Sequence, residues 1–146
     1  MKRINEYKKL FGVENDIELK TLKKSYRNLV KEWHPDKFQN GDAMQEEAEI
    51  HSRKIIDGYH FLVSMAPETK VSNFDSYTET ITNSGIADYT HKGLLLEISF
   101  LDGSTYEYFG VTKQVYIKMI NSAKLNRFAK RTIFPHYTYR MSKRTT

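Results

Sequence analysis

Hydrophobic periodicity predicts an α+β chain: an all-helical first part, then a small antiparallel β-meander with one helix. Three observations carry this. Between Asp16 and Trp33, apolar residues recur in steps of three and four. Between Gly85 and Val111 they recur in steps of two. The stretch between these two parts is polar and holds Pro67, several Ser and Thr, and two Asn. The expected boundaries are a helical domain at 1–66, a linker at 67–83 and an α+β domain with a basic tail at 84–146.

Each element follows from local chemistry. "YKKLF" is a short apolar turn that stops at Gly12. "DIELKTLKKSYRNLVKEW" places Leu19, Leu22, Tyr26, Leu29, Val30 and Trp33 on one helix face. Asn15 and Glu18 have capping-box spacing at its start. Pro35 stops it, because a residue before proline is pushed out of the helical region. A second helix is expected over Asp42–Ser64, with Ala48, Ile55, Tyr59 and Leu62 on one face. Gly58 in its interior costs about 1 kcal/mol relative to alanine, which close approach of the two long helices would explain. They should form an antiparallel hairpin with His34, Pro35 and Asp36 at its tip. The linker can hold a short helix starting at Pro67.

After Gly85, "IADYT" reads as a short strand. "LLLEISFL" alternates Leu96, Ile98 and Phe100 against Glu97 and Ser99. Asp102, Gly103 and Ser104 signal a hairpin turn, and "TYEYFGV" returns with Tyr106 and Tyr108 on one face. "TKQVYIKMINSA" sets Val115, Met119 and Ala123, with Tyr116 and Ile120, along a helical stripe. The aromatic, basic end "RFAKRTIFPHYTYRM" reads as an edge strand broken by Pro135.

The chain has 10 Tyr, 8 Phe and 1 Trp, enough aromatic area for a core, and no cysteine, so no disulfide framework or thiolate metal site. Its basic start leads into no apolar stretch of signal-peptide length, and no run approaches a membrane span. A cytoplasmic protein is expected. Charge is uneven: residues 1–67 carry +1, residues 68–107 carry −5, and residues 108–146 carry +9 without a single acid. Such a tail suits nucleic acid or an acidic surface; equally, it can pack beside the acidic segment of its own domain.

On the long helix, Lys20, Lys23, Lys24, Arg27 and Lys31 form a basic face opposite the apolar stripe, leading into His34, Pro35 and Asp36. "YRNLVKEWHPDK" resembles the heart of a J-domain, the co-chaperone module of the DnaJ family, through Tyr26, Arg27, Leu29, Val30, Trp33, His34, Pro35, Asp36 and Lys37. "YKKLFGV" matches the pattern of its first helix, and Ala48, Ile55, Tyr59 and Leu62 that of its third. Ser52 stands where the family usually has phenylalanine, and Gly58 where it usually has alanine. The fourth helix has only the faint counterpart "PETKVSNFDSY", without its usual basic run.

The resemblance implies that this module binds an ATP-loaded DnaK-type chaperone and triggers its ATP hydrolysis. The implied contact residues are Lys23, Tyr26, Arg27, Lys31, His34, Pro35, Asp36 and Lys37. Tyr26 has two readings, the binding surface by family analogy and partial burial by its place in the stripe. No catalytic, cofactor or metal site is expected: no ligand cluster converges on His34 and Asp36, no nucleophile stands beside a base, and His51 and His60 on the other long helix should face solvent.

Residues 84–139 resemble the KTSC domain through Ser84, Ile86, Tyr89, Ile98, Phe100, Gly103, Tyr106, Tyr108, Val111, Val115, Tyr116, Phe128, Ile133 and Tyr137. Where that family has a Ser-x-Gly turn, "AKLNRF" stands here, and Asn126 should supply the left-handed conformation. Two roles compete for this module. One is an adaptor for a protein client or partner. The alternative is an RNA-binding role through Arg127, Lys130, Arg131, Tyr139 and Arg140, where cations and aromatic rings interleave. The plainer reading makes the aromatics core and the cations solubilising.

Overall fold

The computed structural model describes residues 2–37 and 43–144, and the chain divides into two compact units, Met1–Thr69 and Lys70–Thr146. The first unit holds α1 (Lys2–Phe11), α2 (Leu19–Trp33), a 3₁₀ turn (Pro35–Lys37) and α3 (Ala43–Met65). Asp42, the expected first residue of the second long helix, lies outside the described residues.

Helix α1 ends because Gly12 adopts φ +68°, a left-handed conformation costly for any residue with a Cβ. Val13 N–H then donates to Lys8 C=O and Gly12 N–H to Lys9 C=O, satisfying carbonyls the helix leaves open. Helix α2 ends where Pro35 requires. His34 has ψ 129°, extended rather than helical.

The pairs Tyr26–Tyr59 and Trp33–His51 show that α2 and α3 run antiparallel. Leu22, Ala48, Ile55, Phe61 and Leu62 are buried with Phe11 and Ile17. Tyr59 is half-buried.

Two expectations change here. The capping box is not formed. Glu18 occupies the N-cap of α2 without a side-chain cap bond, and Leu19 N–H donates instead to Glu68 Oε1 at 3.1 Å. A carboxylate from 49 positions away does the local residue's work. Gly58 does mark a close approach, but to α1: a Cβ there would lie 2.7 Å from Tyr7 Cδ1 and 3.1 Å from Phe11 Cε2.

Residues 67–83 carry α4 (Pro67–Ser72), which starts at its proline as expected, and α5 (Phe74–Asn83). In the second unit α5 is followed by β1 (Ile86–Lys92), β2 (Leu95–Phe100), β3 (Ser104–Phe109), α6 (Lys113–Ile120), α7 (Leu125–Phe128), a π-helical turn (Ala129–Ile133) and β4 (Thr138–Arg144). The strands form one antiparallel meander in the order β1-β2-β3-β4. Leu96, Ile98, Phe100, Tyr106 and Tyr108 line one face and pack with Tyr77, Met119, Ala129, Ile133 and Phe134. Polar as it looked in sequence, α5 therefore contributes to this core.

The turn residue Asp102 ties α5 to the sheet. Its Oδ2 accepts from Thr80 Oγ1 at 2.7 Å, while Oδ1 accepts from Ser104 N–H and Oγ. Thr112 caps α6 by accepting from Val115 N–H.

Three further expectations are revised. Helix α6 ends at Ile120, so Ala123 lies outside it and exposed. Pro135 precedes β4 and breaks no strand. Asn126 is helical: among the described residues no non-glycine has positive φ, and its side chain instead accepts from Ile86 N–H at 3.1 Å.

Gly58→Ala should gain about 1 kcal/mol of helix propensity but lose about 1–3 kcal/mol to the overlap with the Tyr7 ring. A net fall in urea midpoint is expected, and a stabilised variant would show that the ring yields freely.

Tyr77 and Tyr108 share a buried hydroxyl–hydroxyl bond of 3.1 Å, and burial pushes both phenols well above the usual tyrosine range. A phenol whose folded pKa is raised stabilises the fold fully below its unfolded value of about 10 and withdraws that support as pH climbs towards the folded value. Urea midpoints should accordingly be level below about pH 10 and fall above it. Ultraviolet titration should show buried phenols ionising only as the unit unfolds, and a midpoint unchanged to pH 11.5 would contradict this.

Candidate functional site

The exposed side of α2 carries Lys20, Lys23, Lys24, Arg27 and Lys31, all solvated, at steps that keep most of them on one ridge. At its end the chain turns sharply. Lys37 N–H donates to His34 C=O at 3.0 Å, closing the 3₁₀ turn, and Asp36 N–H donates to His34 Nδ1 at 3.2 Å. Nδ1 accepts only in the neutral ring whose proton sits on Nε2. The Asp36 carboxylate lies 3.5 Å from the same nitrogen. The His34 side chain is 50% exposed and that of Asp36 91%, so the acid is presented almost entirely to water. Lys37 is exposed beside it.

The root of this loop is anchored to α3. The Trp33 ring stacks on His51 with centroids 4.2 Å apart and planes 25° apart. Ser52 Oγ donates to Trp33 C=O at 2.8 Å, capping a carbonyl that α2 leaves open. His51 was expected to face solvent. It is half-buried under this stack, 3.6 Å from Glu47 one turn earlier. Tyr26 is half-buried with its ring stacked on Tyr59 at 4.2 Å, so one face is covered. His51 and Ser52 had no local signal as supports of the loop, because their partners are fixed only by the hairpin register. Among the described residues no group of three or more His, Asp or Glu is placed to hold a metal ion.

In the second unit the five candidate RNA-contact residues do not share one environment. Arg127, Lys130 and Arg131 are exposed, and Lys130 Nζ donates to Thr82 C=O at 3.0 Å. Tyr139 stacks almost parallel on Tyr77, centroids 3.8 Å apart, with Lys70 Nζ 5.1 Å from its ring centre. Burial raises the Tyr139 phenol and lowers the Lys70 ammonium from their ordinary values. Arg140, next along the strand, points to the opposite sheet face, where its Nε lies 3.1 Å from Glu107 Oε1, both side chains largely buried.

A family model of the DnaJ domain matches residues 6–70, spanning the basic helix and the turn, and one of the KTSC domain matches residues 82–137. The chain carries a DnaJ domain and, after it, a KTSC domain. Over 73 residues it is 37% identical to chaperone protein DnaJ of Mesomycoplasma hyopneumoniae, a match covering 49% of this chain and 19% of that protein. With DnaJ homolog subfamily B member 6 of Bos taurus it shares 28% over 95 residues, covering 65% and 37%. With the tetratricopeptide repeat and J domain-containing co-chaperone DNJ1 of Fusarium oxysporum it shares 37% over 60 residues, covering 41% and 12%. The chain thus spans well under half the length of these relatives.

Within the DnaJ domain both departures from the family pattern have a structural role. Ser52 replaces ring packing with a hydrogen bond to the end of α2, and Gly58 admits the Tyr7 ring. Among the described residues no helix is long and apolar enough to cross a membrane.

In the KTSC domain, Glu107→Ala should leave the Arg140 guanidinium without its carboxylate in a largely buried place. A loss of about 3 kcal/mol is expected, as for one partner removed from a buried pair. A chemical-denaturation midpoint within error of the parent would show that Arg140 finds water instead.

Proposed function

We propose that the chain is a co-chaperone that docks on a DnaK-type chaperone, the seventy-kilodalton heat-shock class, and stimulates its ATP hydrolysis. Its KTSC domain then serves as an adaptor for a protein client or partner. The observation that carries this reading is the Asp36 carboxylate, 91% exposed at the end of a solvated basic helix face.

The division of labour follows from the chemistry. Lys23, Arg27 and Lys31, with Lys37, supply long-range attraction to an acidic surface, which speeds encounter and weakens with salt. Asp36 then competes for an arginine that restrains the partner's ATPase, shifting an equilibrium the partner already samples. His34 and Pro35 hold the turn that aims it, and Tyr26 offers its uncovered face. The chain thus contributes binding energy, and the chemical step belongs to the partner. For the KTSC domain, the stacking of Tyr139 on Tyr77 and the pairing of Arg140 with Glu107 favour the adaptor over the RNA role.

Single-turnover ATP hydrolysis by a DnaK-type chaperone, with and without this protein, tests the proposal. His34→Gln and Asp36→Asn should return the rate to its basal value while circular dichroism and melting stay unchanged, because both side chains are solvated. Undiminished stimulation by the variants would sink the reading.

A further inference from the structure

The two outer strands of the sheet are treated differently. Strand β1 is blunted along its free side. Its register shifts between Ile86 and Asp88, Ile86 N–H is taken by Asn126 Oδ1, and Tyr89 N–H by Asp88 Oδ1 at 2.8 Å. Unpaired edges left open invite another chain, and bulges, caps and charges of this kind suppress that.

Strand β4 has one such device, a register shift at its far end, where Ser142 is the extra residue and donates to Thr105 C=O. The run Thr138–Met141 before it pairs regularly with β3.

The directions of its main-chain groups follow from the register. The two-residue turn at Gly93 and Leu94 closes on the hydrogen-bonded pair Lys92–Leu95, so Leu95, Glu97 and Ser99 face β1 and Leu96 and Ile98 face β3. Leu101 N–H, two further on, duly reaches Gly85 C=O. Carried across, the alternation turns Glu107 and Phe109 towards β4, and Arg140 and Thr138 back towards β3. Tyr139 and Met141 are left with N–H and C=O directed outward. Among the described residues no side chain caps those groups.

We propose that the open edge of β4 receives an extended peptide segment, alternating apolar and acidic residues, as a fifth strand of the sheet. This rests on the adaptor reading of the KTSC domain and gives it a partner chemistry. An unpaired edge is satisfied by an extended chain through main-chain hydrogen bonds. The alternation comes from the two faces of β4. Tyr139 and Met141 lie on the apolar face and are half-buried. On the other face Arg140 is already paired with Glu107, so the free charge is that of the exposed Lys143 near the strand end, and β4 holds three basic residues and no acid in "TYRMSKR". The same charge disfavours a second copy of β4 as the occupant.

The test uses the full chain and a fluorescent twelve-residue peptide of alternating valine and glutamate, followed by anisotropy. Saturable binding that weakens with salt is expected. Methylating one alternate set of peptide amides should reduce affinity about tenfold, as main-chain hydrogen bonds are lost, while methylating the other set changes little. Lys143→Glu, at an exposed position, should weaken binding severalfold with an unchanged circular dichroism spectrum. Hydrogen exchange should slow at Tyr139 and Met141 on binding.

Equal affinity for a valine–lysine peptide, or equal losses from both methylation patterns, would overturn strand addition. So would oligouridylate binding that the acidic peptide cannot displace, which would return the basic strand to RNA. Asp36→Asn should leave peptide affinity untouched, so a chain that stimulates the chaperone but ignores the peptide would refute this inference alone.

Discussion

The backbone restriction imposed by Pro35 is the constraint on which the geometry of the first unit's exposed turn depends. It forces His34 out of the helical region, so α2 stops at Trp33 with its basic face intact. The same restriction starts a tight turn that carries an imidazole, a carboxylate and, at its end, the Lys37 ammonium. Because the turn closes on itself through His34, the carboxylate needs no partner from the body of the protein. A charge held this way is stored without desolvation, and it remains available to a partner that can desolvate it with an opposite charge.

In the second unit, tyrosine organises the core. Tyr77, Tyr106, Tyr108 and Tyr139 meet ring against ring, with centroid separations from 3.8 to 6.4 Å. Tyrosine brings a large apolar body and a hydroxyl that must be satisfied, and the bond between Tyr77 and Tyr108 meets that need inside the core. This explains how a segment as polar as α5 belongs to the fold. Tyr77 and Ile81 pack on the core, and Thr80 is tethered to the hairpin turn through Asp102.

Much of this was legible in the sequence because it is periodic. Steps of three and four exposed the stripe of α2, steps of two exposed β2 and β3, and His34, Pro35 and Asp36 form a local signal that needs no tertiary knowledge. What could not be read depends on distant partners. Glu68 takes the N-cap role expected of Asn15 and Glu18. Gly58 accommodates a ring of α1 rather than α2. His51 is held under Trp33, although nothing in its own neighbourhood distinguishes it from a solvated histidine. Likewise Tyr139 and Arg140 look like a stacking and charge pair in sequence. Strand alternation sends them to opposite faces, where Tyr77 and Glu107 already engage them.

The stack of Trp33 on His51 has an optical consequence. This is the chain's one tryptophan, and it is the residue immediately before the His-Pro-Asp turn. Its indole is half-buried against an imidazole, and its carbonyl is held by Ser52. Tryptophan emission therefore originates at the root of the loop. A partner closing over that turn changes the polarity around a single fluorophore, with no second indole to dilute the signal. The fold carries its own spectroscopic label at the place where docking would be read.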